Sequence, residues 1–140
     1  MNVLVVNAGS QSLKLRILDR DDAVVADANV AAGDEGALSR FVRSARPVDA
    51  VGHRVVHGGP DLVAALRIDD RVVAAIEDLV ALAPLHQPGS VAGIRAVRAS
   101  LPAVPAVACF DTAFHRTLPE ANVTYALPAP WRARWPLHRF

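Results

Sequence analysis

Within residues 7–14, Asn7-Ala8-Gly9-Ser10-Gln11-Ser12-Leu13-Lys14, the chain brings together an amide, a glycine, two serine hydroxyls and an ammonium. Lys14 is the single lysine among fifteen basic residues. The arginine bias has a bland source in a GC-rich coding sequence. A lysine retained against it points to a place where a compact charge on a flexible stem serves and a planar guanidinium does not. Following Gly9 and the hydroxyls of Ser10 and Ser12, it completes a cradle suited to phosphate. Gly9 lets the backbone come close to a ligand. The spacing is not that of a Walker A loop, which needs Gly-x4-Gly-Lys. An ordinary hairpin turn is the competing reading, because Ser and Gly are common there.

The elements that must position this segment read as α/β. Asn2–Asn7 is a β-branched apolar run, a buried strand. Ala8–Ser12 supplies turn residues, and Leu13–Asp19 alternates as a second strand. After a polar turn at Asp19–Asp22, Ala23–Ala32 offers a third, so the N-terminus reads as an antiparallel meander. Gly33–Ala45 reads as a short helix that stops before Pro47. Val48–His57 is a further strand, broken by Gly58-Gly59-Pro60. Asp69 and Asp70 cap a helix with Val72, Ile76, Leu79, Val80 and Ala83 at helical spacing. Pro84–Gly89 interrupts, and Ser90 is the expected cap of a second helix carrying Val91, Ile94, Val97 and Leu101. Val104–Phe110 is a late strand ending at Asp111. From Pro119 the chain is rich in proline and the pattern fades.

Composition bounds the function. A chain of 140 residues supports one domain with a real core. A net charge of +1 makes no electrostatic case for nucleic acid or a membrane surface. The single cysteine, Cys109, excludes an internal disulfide and fits a reducing compartment. No apolar run approaches the ~20 residues of a membrane span. No charged leader precedes the first strand, so a signal peptide is not expected. The expected location is cytoplasmic. Cys109 reads as a small core residue, and its spacing from His53, His57 and His115 does not suit zinc.

Four segments in order carry a resemblance. Asn7–Lys14 is similar to the first phosphate motif of the acetate and propionate kinase family. Gly52-His53-Arg54-Val55-Val56-His57-Gly58-Gly59, Pro84-Leu85-His86-Gln87-Pro88 and Phe110-Asp111-Thr112-Ala113-Phe114-His115 match in turn, and Tyr125-Ala126-Leu127-Pro128 is similar too. The resemblance covers essentially the whole chain. Gln11 departs from it, standing where the family usually has a small serine. The family's chains are also far longer. After Arg139-Phe140 they continue with a Gly-Phe-His-Gly-Thr-Ser-His run, so residues 1–140 are expected to form the N-terminal lobe, with the second lobe lying outside them.

The resemblance implies phosphoryl transfer between ATP and a short carboxylate, with acetate giving acetyl phosphate and ADP. Propionate or butyrate as the acid, or a non-catalytic remnant acting as an interaction module, are the alternatives. The implied fold is the ribonuclease-H-like lobe of an actin-like kinase, a mixed sheet with flanking helices, incomplete over these residues. Such transfer needs positioning and charge neutralisation more than covalent help. Asn7, Ser10, Ser12 and Lys14 lie where the family contacts phosphate, and Asn7 where it helps place the metal, implied to be Mg2+. Arg54 would hold the carboxylate or the moving phosphoryl group, since a guanidinium binds two oxygens at once. Its bland alternative is a surface ion pair. Val56, two residues on, falls on the same side of an ideal strand and would wall the acyl pocket. Leu85 matches a second pocket residue, with His86 adjacent. Asp111, at a strand's carboxyl end where α/β proteins place functional groups, would align the reacting groups. It equally suits a cap for a turn through Thr112–His115. The resemblance further implies a homodimer for the full-length relatives, with an interface largely outside these residues.

Overall fold

In the computed structural model a six-stranded sheet forms the frame. All residues are described except 10, 32, 46, 136 and 138–140, with residue 35 described in its backbone only. Strands β1 (Val3–Ala8), β2 (Ser12–Leu18) and β3 (Val24–Ala31) make the antiparallel meander. Helix α1 (Glu35–Ser44) then leads to β4 (Ala50–Val55), which lies parallel to β1. A two-residue strand, β5 (Leu66–Arg67), precedes helices α2 (Asp70–Asp78) and α3 (Gln87–Ser100). Strand β6 (Ala106–Phe110) returns parallel to β4, and β5 pairs antiparallel on its far edge. The sheet order is β3-β2-β1-β4-β6-β5. Three antiparallel strands followed by parallel additions beyond the first are what the ribonuclease-H-like expectation requires.

Alternation decides which face is covered. Leu4, Val6, Leu13, Leu15, Ile17, Val51, Val55, Ala108 and Phe110 point one way and are buried. They form one core with Leu38 and Val42 of α1, Val73 and Ile76 of α2, and Val91, Ile94 and Val97 of α3. Helix α3 is the hub, packing on α1, α2, β1 and β4. The opposite face carries Lys14, Arg16, Arg54 and Cys109, all exposed. A sheet covered by helices on one face only leaves these side chains open to a ligand.

Several expectations need correction. Ser90 does not cap α3. The helix starts at Gln87 with Pro88 in its first turn, where a missing N–H is harmless, and the Ser90 hydroxyl donates back to the His86 carbonyl. Helix α2 ends at Asp78, so Leu79, Val80 and Ala83 pack from turns. Asp69 does cap it, its carboxylate accepting from Val72 N at 2.8 Å. Cys109 is exposed, because β6 places it on the open face. Strand β5 has no sequence signature, being too short for alternation to register. The proline-rich end still makes two short helices, α5 (Glu120–Val123) and α6 (Ala129–Arg134), begun at Pro119 and Pro128, following α4 (Asp111–Phe114) and a 3-10 turn at His115–Thr117.

Candidate functional site

The carboxyl ends of the three parallel strands β1, β4 and β6 lie side by side. The register runs Lys14 opposite Asn7, Asn7 beside Arg54, and Arg54 beside Cys109, one row across the open face. Asp111 follows β6 directly. Arg54 Nε donates to Asp111 Oδ1 at 3.0 Å and Nη2 to Oδ2 at 2.5 Å, a two-point fork on the carboxylate. Nη1 donates to Asn7 Oδ1 at 3.0 Å. Three positions from separate parts of the sequence thus close into one hydrogen-bonded cluster. Arg54 uses three of its five N–H groups in it and keeps two for a ligand. The Arg54 and Asp111 charges offset one another, so the cationic excess for an anionic ligand comes from the exposed Lys14 in the adjoining strand.

Local structure explains the placement. Asp111 is the first residue of α4 and makes no cap bond. Its carboxylate is turned to Arg54, so the capping reading fails there. The helix start is tied instead through Thr112, whose hydroxyl accepts from Gly58 N at 3.0 Å. Gly58 can only be glycine: a Cβ there would lie 2.2 Å from the Leu62 carbonyl oxygen. Gly59 sits at φ 63, in the left-handed region. On the other side of the same loop, the fully buried Gln87 amide donates to the His57 carbonyl at 2.9 Å, linking the start of α3 to the end of β4. The sequence reading assigned no role to Thr112, Gly58 or Gln87. The Gly-Gly pair was the one signal that a close backbone approach was needed.

The remaining expected site residues are spread unevenly. Ser12 opens β2, and its carbonyl accepts from Gly9 N at 2.8 Å, closing the β1–β2 turn. Ser10 lies outside the described residues. β4 stops at Val55, the alternation lapses, and Val55 and Val56 are both buried. Leu85 is 79% exposed in the turn before α3. Neither lines the open groove beside the cluster, which Arg54, Cys109, Phe110, Asp111, Phe114 and His115 line. His53 points to the opposite, helix-covered face. Burial lowers its pKa to about 4, and its Nε2 has no partner. Among the described residues, no three His, Cys, Asp or Glu side chains gather as a metal cluster.

Residues 36–140 match the acetokinase family. The chain belongs to that family. Across its whole length it is 34% identical to the acetate kinase of Treponema denticola, over 177 residues and 45% of that enzyme. It is 45% identical to the acetate kinase of Geobacter metallireducens over 108 residues, which are 77% of this chain and 25% of that one. The crystal structure of acetate kinase from Entamoeba histolytica superposes on the entire chain with a TM-score of 0.82 at 26% identity, over 44% of its own length. The chain thus spans under half the length of these acetokinase relatives, and its fold is the ribonuclease-H-like, actin-like one.

Proposed function

We propose that this chain supplies the first lobe of an acetate kinase, which transfers the terminal phosphoryl group of ATP to acetate and yields acetyl phosphate and ADP. The Asn7–Arg54–Asp111 cluster at the strand ends carries the reading. It puts a guanidinium with two spare N–H groups next to a carboxylate, on a face with the ammonium of Lys14 in the adjoining strand.

Acetate and the phosphoryl group are both anionic and repel each other. Arg54, gripping an acetate oxygen through its free N–H groups, lowers that repulsion. Its fork on Asp111 fixes the guanidinium plane, so the ligand meets a donor that need not reorganise. Lys14 and the Ser12 hydroxyl hold phosphate oxygens. The carboxylate oxygen of acetate then attacks phosphorus in line as the bond to ADP breaks.

Family membership supports Mg2+ as the cofactor. Asp111 suits it better than Asn7 does. Asn7 Oδ1 and each carboxylate oxygen of Asp111 accept one hydrogen bond from Arg54 and keep a lone pair, but only Asp111 brings a negative charge to the cation. Mg2+ ordinarily takes one or two carboxylates along with substrate phosphates. When bound, it neutralises phosphate charge. Dimerisation and a cytoplasmic location belong to the same proposal. Among the described residues no helix is long and apolar enough to cross a membrane.

The test is a chimaera in which these 140 residues replace the matching 45% of the Treponema enzyme. Hydroxamate-trapped acetyl phosphate, formed from MgATP and acetate, is the expected product. A folded chimaera that forms none overturns the proposal.

A further inference from the structure

Covering the 140 residues of this chain takes 177 positions of the Treponema enzyme, 37 more than the chain has. The Geobacter match covers 77% of the chain in 108 positions, as many as that share of 140 residues contains, so it shows no length difference. The family match begins at residue 36, although the Asn7–Lys14 motif precedes it. Additional residues of the longer relative between Lys14 and residue 36 would account for all three matches.

Two connections lie in that interval. The β2–β3 turn is closed on itself, with the Asp19 carboxylate accepting from the backbone N–H groups of Asp21 and Ala23. The β3–α1 junction is different. It passes from Ala31 to Glu35 in a few residues, held by Asp34 N donating to the Ala31 carbonyl at 3.1 Å and turned by Gly33 at φ 84. A small open cleft lies against this junction, walled by Leu13, Val30, Leu38, Ala92 and Ala96.

We propose that this chain lacks, at the β3–α1 junction, a segment of about 37 residues that the Treponema enzyme carries in its own chain, and that the cleft is the vacated seat of that segment. The occupant is therefore a polypeptide with apolar side chains entering beside Gly33. Gly9 and Gly89 stand at one end of the cleft. A Cβ on Gly89 would lie 3.7 Å from the Gly9 carbonyl oxygen, so the β1–β2 turn rests on the start of α3. A filled seat would brace the turn that holds phosphate from behind.

Grafting tests this independently of the proposed activity, because the readout is folding. The unmatched Treponema segment is inserted between Ala31 and Gly33. A Gly/Ser insert of equal length at the same place controls for chain length, and the same segment between Asp21 and Asp22 controls for position. The graft at the junction is expected to melt about 4 °C or more above the Gly/Ser insert and to slow amide exchange at Gly9, Leu38 and Ala96. Equal melting of graft and Gly/Ser insert, or a larger gain at the β2–β3 turn, overturns the proposal. If the graft does not fold, Ala96→Leu in the unaltered chain decides. An open seat accepts the larger side chain with an unchanged or higher Tm, whereas a fall of more than about 4 °C means the wall is already packed and the proposal is wrong.

Discussion

Arg54 and Asp111 share two hydrogen bonds, yet their removal should be felt differently. Arg54 is proposed to hold acetate and to offset its repulsion from the phosphoryl group. In the active chimaera, Arg54→Ala should raise KM for acetate and lower kcat. A lost transition-state contact costs about 10²–10³-fold in rate. Asp111→Asn keeps the shape and removes a negative charge that repels acetate. Its loss should fall on kcat, with KM unchanged or lower. The two effects should not add, because each variant releases the other's partner. If Arg54 served only in a half-exposed ion pair, worth at most about 1 kcal/mol, Arg54→Ala would melt slightly earlier and catalyse normally. Steady-state kinetics with parallel melts separates the cases. His53 makes a second prediction, about pH. Its pKa is about 4 when folded and about 6.5 when unfolded, lowered by burial. As pH falls from 6.5 towards 4 the unfolded chain takes up a proton that the folded chain refuses. Stability therefore falls across that window, by about 3 kcal/mol when complete. His53→Leu leaves no lone pair to protonate. Melts at pH 7 and pH 5 should differ less for the variant than for the parent chain.

At the level of elements, the loop Gly58-Gly59 decides whether the cluster forms. It lies between the end of β4, which carries Arg54, and the start of α4, which carries Asp111. Gly58→Ala drives a methyl into the Leu62 carbonyl and crowds the Phe110 ring. The expected loss is about 1–3 kcal/mol of stability, accompanied by weaker catalysis in the chimaera, because Thr112 loses its partner on the displaced backbone. Urea melts and activity measured on the same preparation check both. An unshifted midpoint would mean that the loop gives way freely and does not place Asp111. The helix cap at Asp69 is a simpler case, since Asp69→Ala removes one bond to Val72 N and should cost about 1 kcal/mol without touching activity.

On the scale of the whole molecule, the 140 residues by themselves should show no acetate kinase turnover. They hold one side of the proposed site and under half the length of the relatives. Activity that scales with chain concentration, in a preparation free of host kinase, would contradict this. The isolated chain should also associate. Among the described residues, six of the nine large apolar side chains that are exposed lie beyond Phe110, namely Phe114, Leu118, Tyr125, Trp131, Trp135 and Leu137. A net charge of only +1 does little to keep copies apart. Light scattering should give an apparent mass that rises with concentration and falls in the double variant Phe114→Ser, Trp131→Ser. A monodisperse monomer with a sharp cooperative melt would count against the exposed surface being sticky.

The order of strands and helices, the family and the identity of Arg54 and Asp111 as site candidates were legible from local patterns. Alternation marks Leu13, Leu15 and Ile17 as core whatever they pack on, and a glycine-bounded motif keeps its residue types. What local patterns could not decide were the outcomes that depend on where a strand stops and on what lies across it. Val56 follows the last residue of β4, so strand alternation does not decide its side. Cys109 became exposed because no helix covers its face of the sheet. Ser90 lost the cap position because Pro88 and the buried Gln87 start α3 a turn sooner. Asp111 chose Arg54 over a cap for the same kind of reason. Asn7, Arg54 and Asp111 are 47 and 57 residues apart in sequence, and only parallel pairing of β1, β4 and β6 brings their side chains within hydrogen-bonding reach.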